Sequence, residues 1–180
     1  MAVKIIYFVH GTTTDNASKL CSGWKEAMLN ELGIEQAINL GRVIEDKNIV
    51  FDKIFTSDLK RAIDSSNFLF PKYEKECDFR LRECNYGDLD GEHKSLVIYE
   101  EHIDSPFPNG ENLKDVENRV REFTCFLKEN YDGKTIGIVA HRAPQLALEV
   151  ITKNCTWEEA ISNDWRKTGD WQPGWEYILK

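Results

Sequence analysis

Two histidines stand directly after short apolar runs, where an α/β protein usually places its chemistry. His10 follows residues 5–9, and His141 follows residues 135–140. Both runs are rich in β-branched or aromatic residues, which is typical of buried strands. Ligands of α/β proteins bind at the carboxyl ends of the strands. Two strands of one sheet that both end in histidine therefore predict a shared site, whereas one such histidine alone is explained equally well as a strand cap.

The residues after His10 suit an anion. Gly11 gives the backbone conformations that other residues resist. Residues 12–14 are three threonines, whose hydroxyls can join backbone N–H groups in holding negative charge. The alternative interpretation is an ordinary turn beside the strand.

Arg61 and Glu83 follow two further predicted strands. After the short strand 53–56, Ser57 or Asp58 suits the N-cap of a helix. Arg61 falls in the first turn of that helix, although cations usually prefer the other end. It is therefore expected to face an anion, or else to be a solvated surface arginine. Glu83 lies in a polar loop that contains several glycines. It is interpreted either as an acid placed over a pocket or as a surface glutamate.

The order of the predicted elements indicates the fold class. Strands are predicted over residues 5–9, 53–56, 77–81, 135–140 and 175–179, and helices over residues 29–46, 58–70, from Asn109 or Asn112 to about 131, and 142–151. Residues 95–108 are expected to be a short helix and an irregular excursion. This order predicts an α/β protein, a three-layer α/β/α sandwich with a mostly parallel central sheet. Four residues able to do chemistry then converge on one edge of the sheet.

Length, composition and charge limit the function classes. The 180 residues predict one domain over residues 1–180, and the net charge of −8 argues against nucleic-acid binding. The apolar runs are too short for a signal peptide or a membrane span. Five scattered cysteines without a C-x-x-C pair favour a cytoplasmic location. Four of the five tryptophans lie near the C-terminus, and packing is favoured over a place in a substrate cleft.

Taken in order along the chain, these stretches resemble the histidine phosphatase superfamily, in the branch of the cofactor-dependent phosphoglycerate mutases and small phosphatases. The matching stretches are His10-Gly11 with Thr13 and Asn16 (R-H-G-x-[ST]-x-x-N), Gly23-Trp24 with residues 29–37 (G-W…L-T-x-x-G-x-x-Q-A), residues 57–62 (S-x-L-x-R-A), residues 80–83 with Tyr86, Gly87 and Gly91 (R-L-x-E), residues 108–112 (G-G-E-S) and residues 139–141 (V-x-H).

The resemblance implies a phosphoglycerate mutase-like fold and phosphoryl transfer through a phosphohistidine. His10 would be the nucleophile and Glu83 the acid and base, while Arg61 and a protonated His141 would hold the phosphoryl oxygens. The other residues expected to bind phosphate or substrate are Gly11, Thr13, Asn16, Ser22, Gly23, Tyr86 and Arg142. The expected partner is a small phosphorylated substrate, with no nucleic acid, membrane, metal or cofactor; the oligomeric state is open. A two-histidine metal site is less expected, because no third ligand accompanies the pair.

Two positions depart from the family pattern. Val9 replaces the arginine that precedes the nucleophile, which removes one of two guanidinium groups expected on the phosphate. Arg142 follows His141 where glycine is common. One hypothesis is that Arg142 returns the missing charge. The alternative is that it points to solvent or pairs with an acidic residue.

Hydrolysis is favoured over mutase action. Phosphoglycerate mutases of this branch carry a basic insert after the acid loop, but residues 95–108 contain no Lys or Arg. The expected substrate is a phosphomonoester with an uncharged or modestly charged leaving group, unless Arg166 and Lys167 fold over the cleft. A weak or inactive module that binds a phosphorylated ligand or protein is the alternative, and phosphoglycerate mutase-type transfer is a second one.

Overall fold

A five-stranded sheet runs through the centre of the molecule. The computed structural model describes residues 1–169 and 172–180. The strands are β1 (Val3–Val9), β2 (Lys53–Thr56), β3 (Lys75–Cys77), β4 (Thr135–Ala140) and β5 (Trp175–Leu179). In space they follow the order β3-β2-β4-β1-β5. Only β5 runs antiparallel to its neighbour, so the expected mostly parallel sheet is confirmed.

Helices cover both faces of the sheet. They are α1 (Thr14–Ala17), α2 (Glu31–Asp46), α3 (Lys60–Leu69), α4 (Leu113–Asn130), α5 (Arg142–Lys153), α6 (Trp157–Ser162) and α7 (Trp165–Thr168). Ile6 and Phe8 of β1 pack with α2 and α3, whereas Ile5 and Tyr7 pack in the core that includes α4 and α5. Successive side chains of a strand point to opposite faces, so a strand buried on both faces is a continuous apolar run. The three-layer α/β/α arrangement follows from this.

One predicted helix start is confirmed and another is wrong. Asn112, one of the two predicted starts, caps α4, and Asn30, which was not predicted as a cap, caps α2, because each side chain accepts a backbone N–H of the first turn. The prediction of an N-cap at Ser57 or Asp58 was wrong. Helix α3 begins at Lys60 after Leu59, and Asp58 instead pairs with Arg82, with both N···O distances at 2.7 Å.

The predicted strand 77–81 was also wrong. The strand ends at Cys77, and Phe79–Leu81 form a single 3-10 turn. Asp78 causes the change, because its side chain accepts the backbone N–H of Arg80 at 2.9 Å and also pairs with the Arg80 guanidinium. Such a side-chain bond to the backbone competes with strand pairing.

The excursion after the acid loop consists of two 3-10 turns, Lys94–Leu96 and Tyr99–Glu101, joined by irregular backbone. The C-terminal tail returns over the sheet, with the Trp165 ring stacked on Trp175 at 4.9 Å between centres. Trp171, one of the tail's tryptophans, lies outside the described residues. Within the described ranges, every helix is too short or too polar to cross a lipid bilayer.

Candidate active site

The two histidines lie side by side because β1 and β4 are neighbours. Val9 pairs with Ala140 in register, and the backbone N–H of His10 donates to the Ala140 carbonyl at 3.1 Å. The imidazole ring centres are 5.1 Å apart, with their planes inclined by 60°. The structure therefore brings together two residues that are 131 positions apart in the chain.

His10 is held in one orientation as a neutral ring. Its Nδ1 lies 2.7 Å from the carbonyl oxygen of Gly11. Because a carbonyl can only accept, Nδ1 carries the proton and Nε2 keeps its lone pair. Burial, together with the charges of Arg61 and Arg166, lowers the pKa of His10 to about 3. A nucleophilic Nε2 is therefore available at neutral pH.

His141 is fully buried beside His10. The Tyr7 hydroxyl donates to the His141 carbonyl at 2.7 Å and accepts the His141 backbone N–H at 3.0 Å. Neither ring nitrogen has a hydrogen-bond partner among the residues that the structure describes. Burial, with the charge of Arg61, lowers the pKa of His141 well below its ordinary value, so the expectation of a protonated ring is not supported. The neutral ring still has one N–H to donate.

Arg61 is not a surface residue. It is 3% exposed at the start of α3, and its terminal nitrogens donate to the carbonyls of Gly23 at 2.6 Å and Lys25 at 3.1 Å. Burial lowers its pKa, but a guanidinium stays charged in proteins. The arginine thus fixes the loop 22–25 and brings a positive charge to the histidine pair.

Glu83 is also buried, with 8% exposure. Its Oε1 accepts the backbone N–H groups of Cys84 and Ala143, both at 2.9 Å, and its Oε2 accepts that of Arg142 at 3.2 Å. Two of these donors are the first residues of α5, where the helix dipole favours negative charge. The surface-glutamate alternative was therefore wrong, and Glu83 is fixed beside His141.

Sequence reasoning missed the residue that holds the Glu83 loop. The Arg119 guanidinium donates to the carbonyls of Arg80, Arg82 and Glu83 at 2.7–2.9 Å and pairs with the carboxylate of Glu111. The signal available in the sequence was an arginine on the apolar face of α4, one residue before Val120. Such a position predicts a buried cation that needs acceptors.

A cleft of about 630 Å³ opens in front of these groups. Of the residues expected to bind phosphate or substrate, Asn16, Ser22, Gly23, Tyr86 and Arg142 line it, together with His10, Arg61 and Glu83. Thr13 does not. It is fully buried, and its Oγ1 accepts the Asn16 N–H as the N-cap of α1, so Thr12 lines the cleft in its place. His141 lies behind the wall, in ring contact with His10.

Gly11 also lies outside the cleft lining, and it is needed for a different reason from the one expected. Its φ is not positive. A Cβ at Gly11 would lie 2.3 Å from the carbonyl oxygen of Gly33, and a Cβ at Gly33 would lie 2.1 Å from that of Thr12. The two glycines therefore let the start of α2 approach the turn after His10.

Arg142 pairs with an acidic residue. Its Nε donates to Asp164 Oδ2 at 2.7 Å, and its guanidinium lies over the Tyr99 ring at 4.3 Å. The tail also adds Arg166 and Lys167 to the cleft lining, beside Trp165 and Lys94. The expectation that the tail only packs was therefore incomplete, and the wall of the cleft is more cationic than residues 95–108 indicated.

No group of three His, Cys, Asp or Glu side chains within residues 1–169 and 172–180 is placed to share a metal ion. Metal independence stays a prediction.

Comparison with known proteins identifies relatives of both kinds that the sequence suggested. A 2,3-bisphosphoglycerate-dependent phosphoglycerate mutase of Chelativorans sp. (strain BNC1) is 32% identical over 178 residues, covering 89% of this chain and 86% of that protein. The alpha-ribazole phosphatase of Shigella flexneri has a TM-score of 0.77 at 25% identity, covering 90% of this chain and 84% of that chain. A mycobacterial glucosyl-3-phosphoglycerate phosphatase has a TM-score of 0.78 at 23% identity, covering 89% and 86%.

By fold and by these relatives, the chain is similar to phosphatases and to phosphoglycerate mutases. The sequence profile of the histidine phosphatase superfamily (branch 1) matches residues 6–168, and the chain belongs to this family.

Proposed function

We propose that the chain is a phosphomonoester hydrolase that acts through a phosphohistidine at His10. The observation that carries the proposal is that His10, Arg61 and Glu83 line one cleft and that the buried His141 ring lies 5.1 Å from the His10 ring, centre to centre. A buried polar atom without a partner is costly, and a phosphoryl oxygen would supply the partner that the His141 ring nitrogens lack. Transfer of a phosphoryl group is mainly a matter of positioning and of stabilising negative charge, which these residues can provide.

In the first step, the lone pair on His10 Nε2 attacks phosphorus, and the bond from phosphorus to the ester oxygen breaks. Glu83 gives its proton to that leaving oxygen, so an alcohol departs and the phosphoryl group stays on His10. Oε2 of Glu83 suits the proton, because it accepts one backbone N–H at 3.2 Å whereas Oε1 accepts two at 2.9 Å.

In the second step, water attacks phosphorus and the bond between phosphorus and Nε2 breaks. Glu83, now a carboxylate, takes the proton from the water, and inorganic phosphate leaves. His10 returns to its neutral form with Nδ1–H on the Gly11 carbonyl.

The cleft wall favours a substrate with a second anionic group. Attack in line with the departing bond directs the leaving group away from His10. Lys94, Arg142 and Lys167 line the same cleft, where Arg142 is paired with Asp164 and Lys167 with Glu100. These cations come from three separate elements. They support a small phosphorylated metabolite whose leaving group carries a carboxylate or a further phosphate, rather than an uncharged one.

Phosphoglycerate mutase-type transfer is the second candidate, favoured by the mutase relative and by the same cations. Hydrolysis is preferred because residues 95–108, where mutases of this branch are expected to carry a basic insert, contain no Lys or Arg, and because a relative of similar fold is named a phosphatase.

The test is an assay of the purified chain with p-nitrophenyl phosphate and a panel of phosphorylated metabolites, with and without EDTA. Phosphoglycerate with 2,3-bisphosphoglycerate tests mutase action in the same series. His10→Ala and Glu83→Gln are compared with His102→Ala, a histidine outside the cleft that stacks on Phe107.

Phosphate release that resists EDTA and is lost only in the two cleft variants supports the proposal. Isomerisation of phosphoglycerate at a rate above phosphate release would replace it with the mutase. Binding of inorganic phosphate without turnover of any compound would replace it with a binding module.

A further inference from the structure

Two arginines on the cleft wall share one buried aspartate. Asp164 is 2% exposed and precedes α7. Its Oδ2 accepts Nε of Arg142 at 2.7 Å, and its Oδ1 accepts a terminal nitrogen of Arg166 at 2.9 Å. Burial alone would raise the pKa of Asp164, but the two arginines hold it below its ordinary value. One negative charge thus balances two positive charges, and the wall keeps a net positive charge.

Arg166 is fixed on three sides. Its second terminal nitrogen donates to Oε1 of Gln145 at 3.0 Å, and its guanidinium lies over the Trp165 ring at 4.5 Å. The side chain is 22% exposed. Each terminal nitrogen has a second N–H beyond these bonds. A guanidinium held in this way loses little freedom when it binds an anion.

The two arginines face different parts of the cleft. Arg142 lies over the Tyr99 ring, and the Tyr99 hydroxyl is 3.5 Å from Glu83 Oε1. Arg142 therefore lies on the Glu83 side of the cleft. Arg166 lies over the Trp165 ring, and Trp165 lines both this cleft and a neighbouring cavity together with Val9 and His10. The charge of Arg166 also contributes to lowering the pKa of the His10 imidazole. Of the pair, we therefore assign Arg166 to the side of the nucleophile.

Besides Arg166, the nucleophile meets the positive charge of Arg61. His10 and His141 are neutral, and the two terminal nitrogens of Arg61 donate to the loop, one to the Lys25 carbonyl and one to the Gly23 carbonyl. A phosphoryl group on His10 carries about two negative charges. One buried guanidinium that is engaged elsewhere leaves that charge incompletely balanced.

We propose that Arg166 is the second guanidinium of the phosphoryl site, supplied by α7 and held ready by Asp164. This rests on the proposed function of the cleft. Val9, which also lines the cleft, cannot donate a hydrogen bond from its side chain, so a cation from the far end of the chain takes that role. Arg166 is then a catalytic residue, and Asp164 is its positioning residue.

The test measures inhibition by orthovanadate, a phosphate analogue, together with the pH profile of kcat/KM for p-nitrophenyl phosphate. The variants are Arg166→Ala, Arg166→Lys and Arg166→Gln; the last keeps the length and polarity needed to reach Asp164. Arg121→Ala is the matched control, an exposed arginine on α4. Thermal unfolding of each variant shows whether the fold is retained.

We expect Arg166→Ala and Arg166→Gln to weaken vanadate inhibition and lower kcat/KM by roughly 10- to 100-fold. Lysine should recover part of the loss. Without the Arg166 charge the pKa of His10 rises, so the acid limb of the profile moves to higher pH. Arg121→Ala should match the wild type in every measurement.

Wild-type inhibition and an unmoved acid limb in a folded Arg166→Gln protein would overturn the proposal and leave the proposed function intact. A wild type that neither hydrolyses p-nitrophenyl phosphate nor binds vanadate would overturn both.

Discussion

Replacing Arg119 by methionine removes the guanidinium that holds the Glu83 loop while keeping the length of the side chain. In the native protein this one group binds three carbonyls, those of Arg80, Arg82 and Glu83, and both carboxylate oxygens of Glu111. Methionine can fill the space but can donate no hydrogen bond. The change therefore removes the donor to three carbonyls and the charged partner of Glu111, whose Oε2 still accepts the backbone N–H of Asn85 at 2.9 Å.

The expected loss of stability follows from the burial of this pair. The side chains of Arg119 and Glu111 are 10% and 18% exposed. Breaking a buried ion pair by removing one partner costs about 3–5 kcal/mol, and partial hydration here favours the lower end, about 3 kcal/mol. For a chain of this size that corresponds to a decrease in Tm of roughly 6–12 °C. We also expect kcat to fall, because Glu83 loses one of the donors that fix its backbone.

The assay is urea unfolding followed by circular dichroism, with Arg121→Met as the control. That arginine lies on the same helix but is exposed, so its loss should change the free energy of unfolding by less than about 0.5 kcal/mol. The double variant Arg119→Met with Glu111→Gln removes the unpaired charge and should regain about 1 kcal/mol or more. A single Arg119→Met variant as stable as Arg121→Met would refute the reasoning.

Three further predictions concern the histidine pair. Gly33→Ala should destabilise the protein by about 2 kcal/mol or more in urea unfolding, because its Cβ would lie 2.1 Å from the Thr12 carbonyl oxygen. A loss below about 0.5 kcal/mol, as for a typical surface substitution, would contradict this close approach. Since the folded chain lowers the pKa of His10 to about 3, the unfolded chain binds that proton more readily. The contribution of His10 to the free energy of unfolding should therefore be complete above pH ~6.5. It should fall toward pH ~3 by at most about 1.4 kcal/mol per pH unit. His10→Gln should flatten this pH dependence. Tyr7→Phe should cost about 1–2 kcal/mol and lower kcat, because it removes the hydroxyl that bonds both backbone groups of His141; unchanged unfolding and turnover would show that this bond is dispensable.

Much of the fold could be predicted because local patterns specify it. Apolar runs predicted β1 and β4, and Asn112 was one of two residues predicted to begin α4, which its side chain caps. Prediction failed at residues 77–81, where a strand was expected but the Asp78 side chain bonds the following backbone and turns the chain. Periodicity does not register such a local competing bond.

The sequence predicted those residues of the candidate site that lie at or shortly after the ends of strands. His10, Arg61, Glu83 and His141 each follow a strand or sit in the loop after one, and a parallel sheet gathers such positions at one edge. Thr13 was misassigned, because its hydroxyl is used to cap α1. The sequence could not reveal which hydroxyl a short helix would consume.

By itself, the sequence determined where β1, β2 and β4 end, the helix faces and the residue types available for phosphoryl chemistry, because these depend on neighbours within a few positions. Only the tertiary structure decided that β4 lies between β1 and β2, which places the two imidazoles 5.1 Å apart. It also decided that Arg119 holds the Glu83 loop and that Asp164 joins Arg142 to Arg166. These contacts join residues far apart in the chain, and they form because a buried charge must find its partners wherever the fold places them.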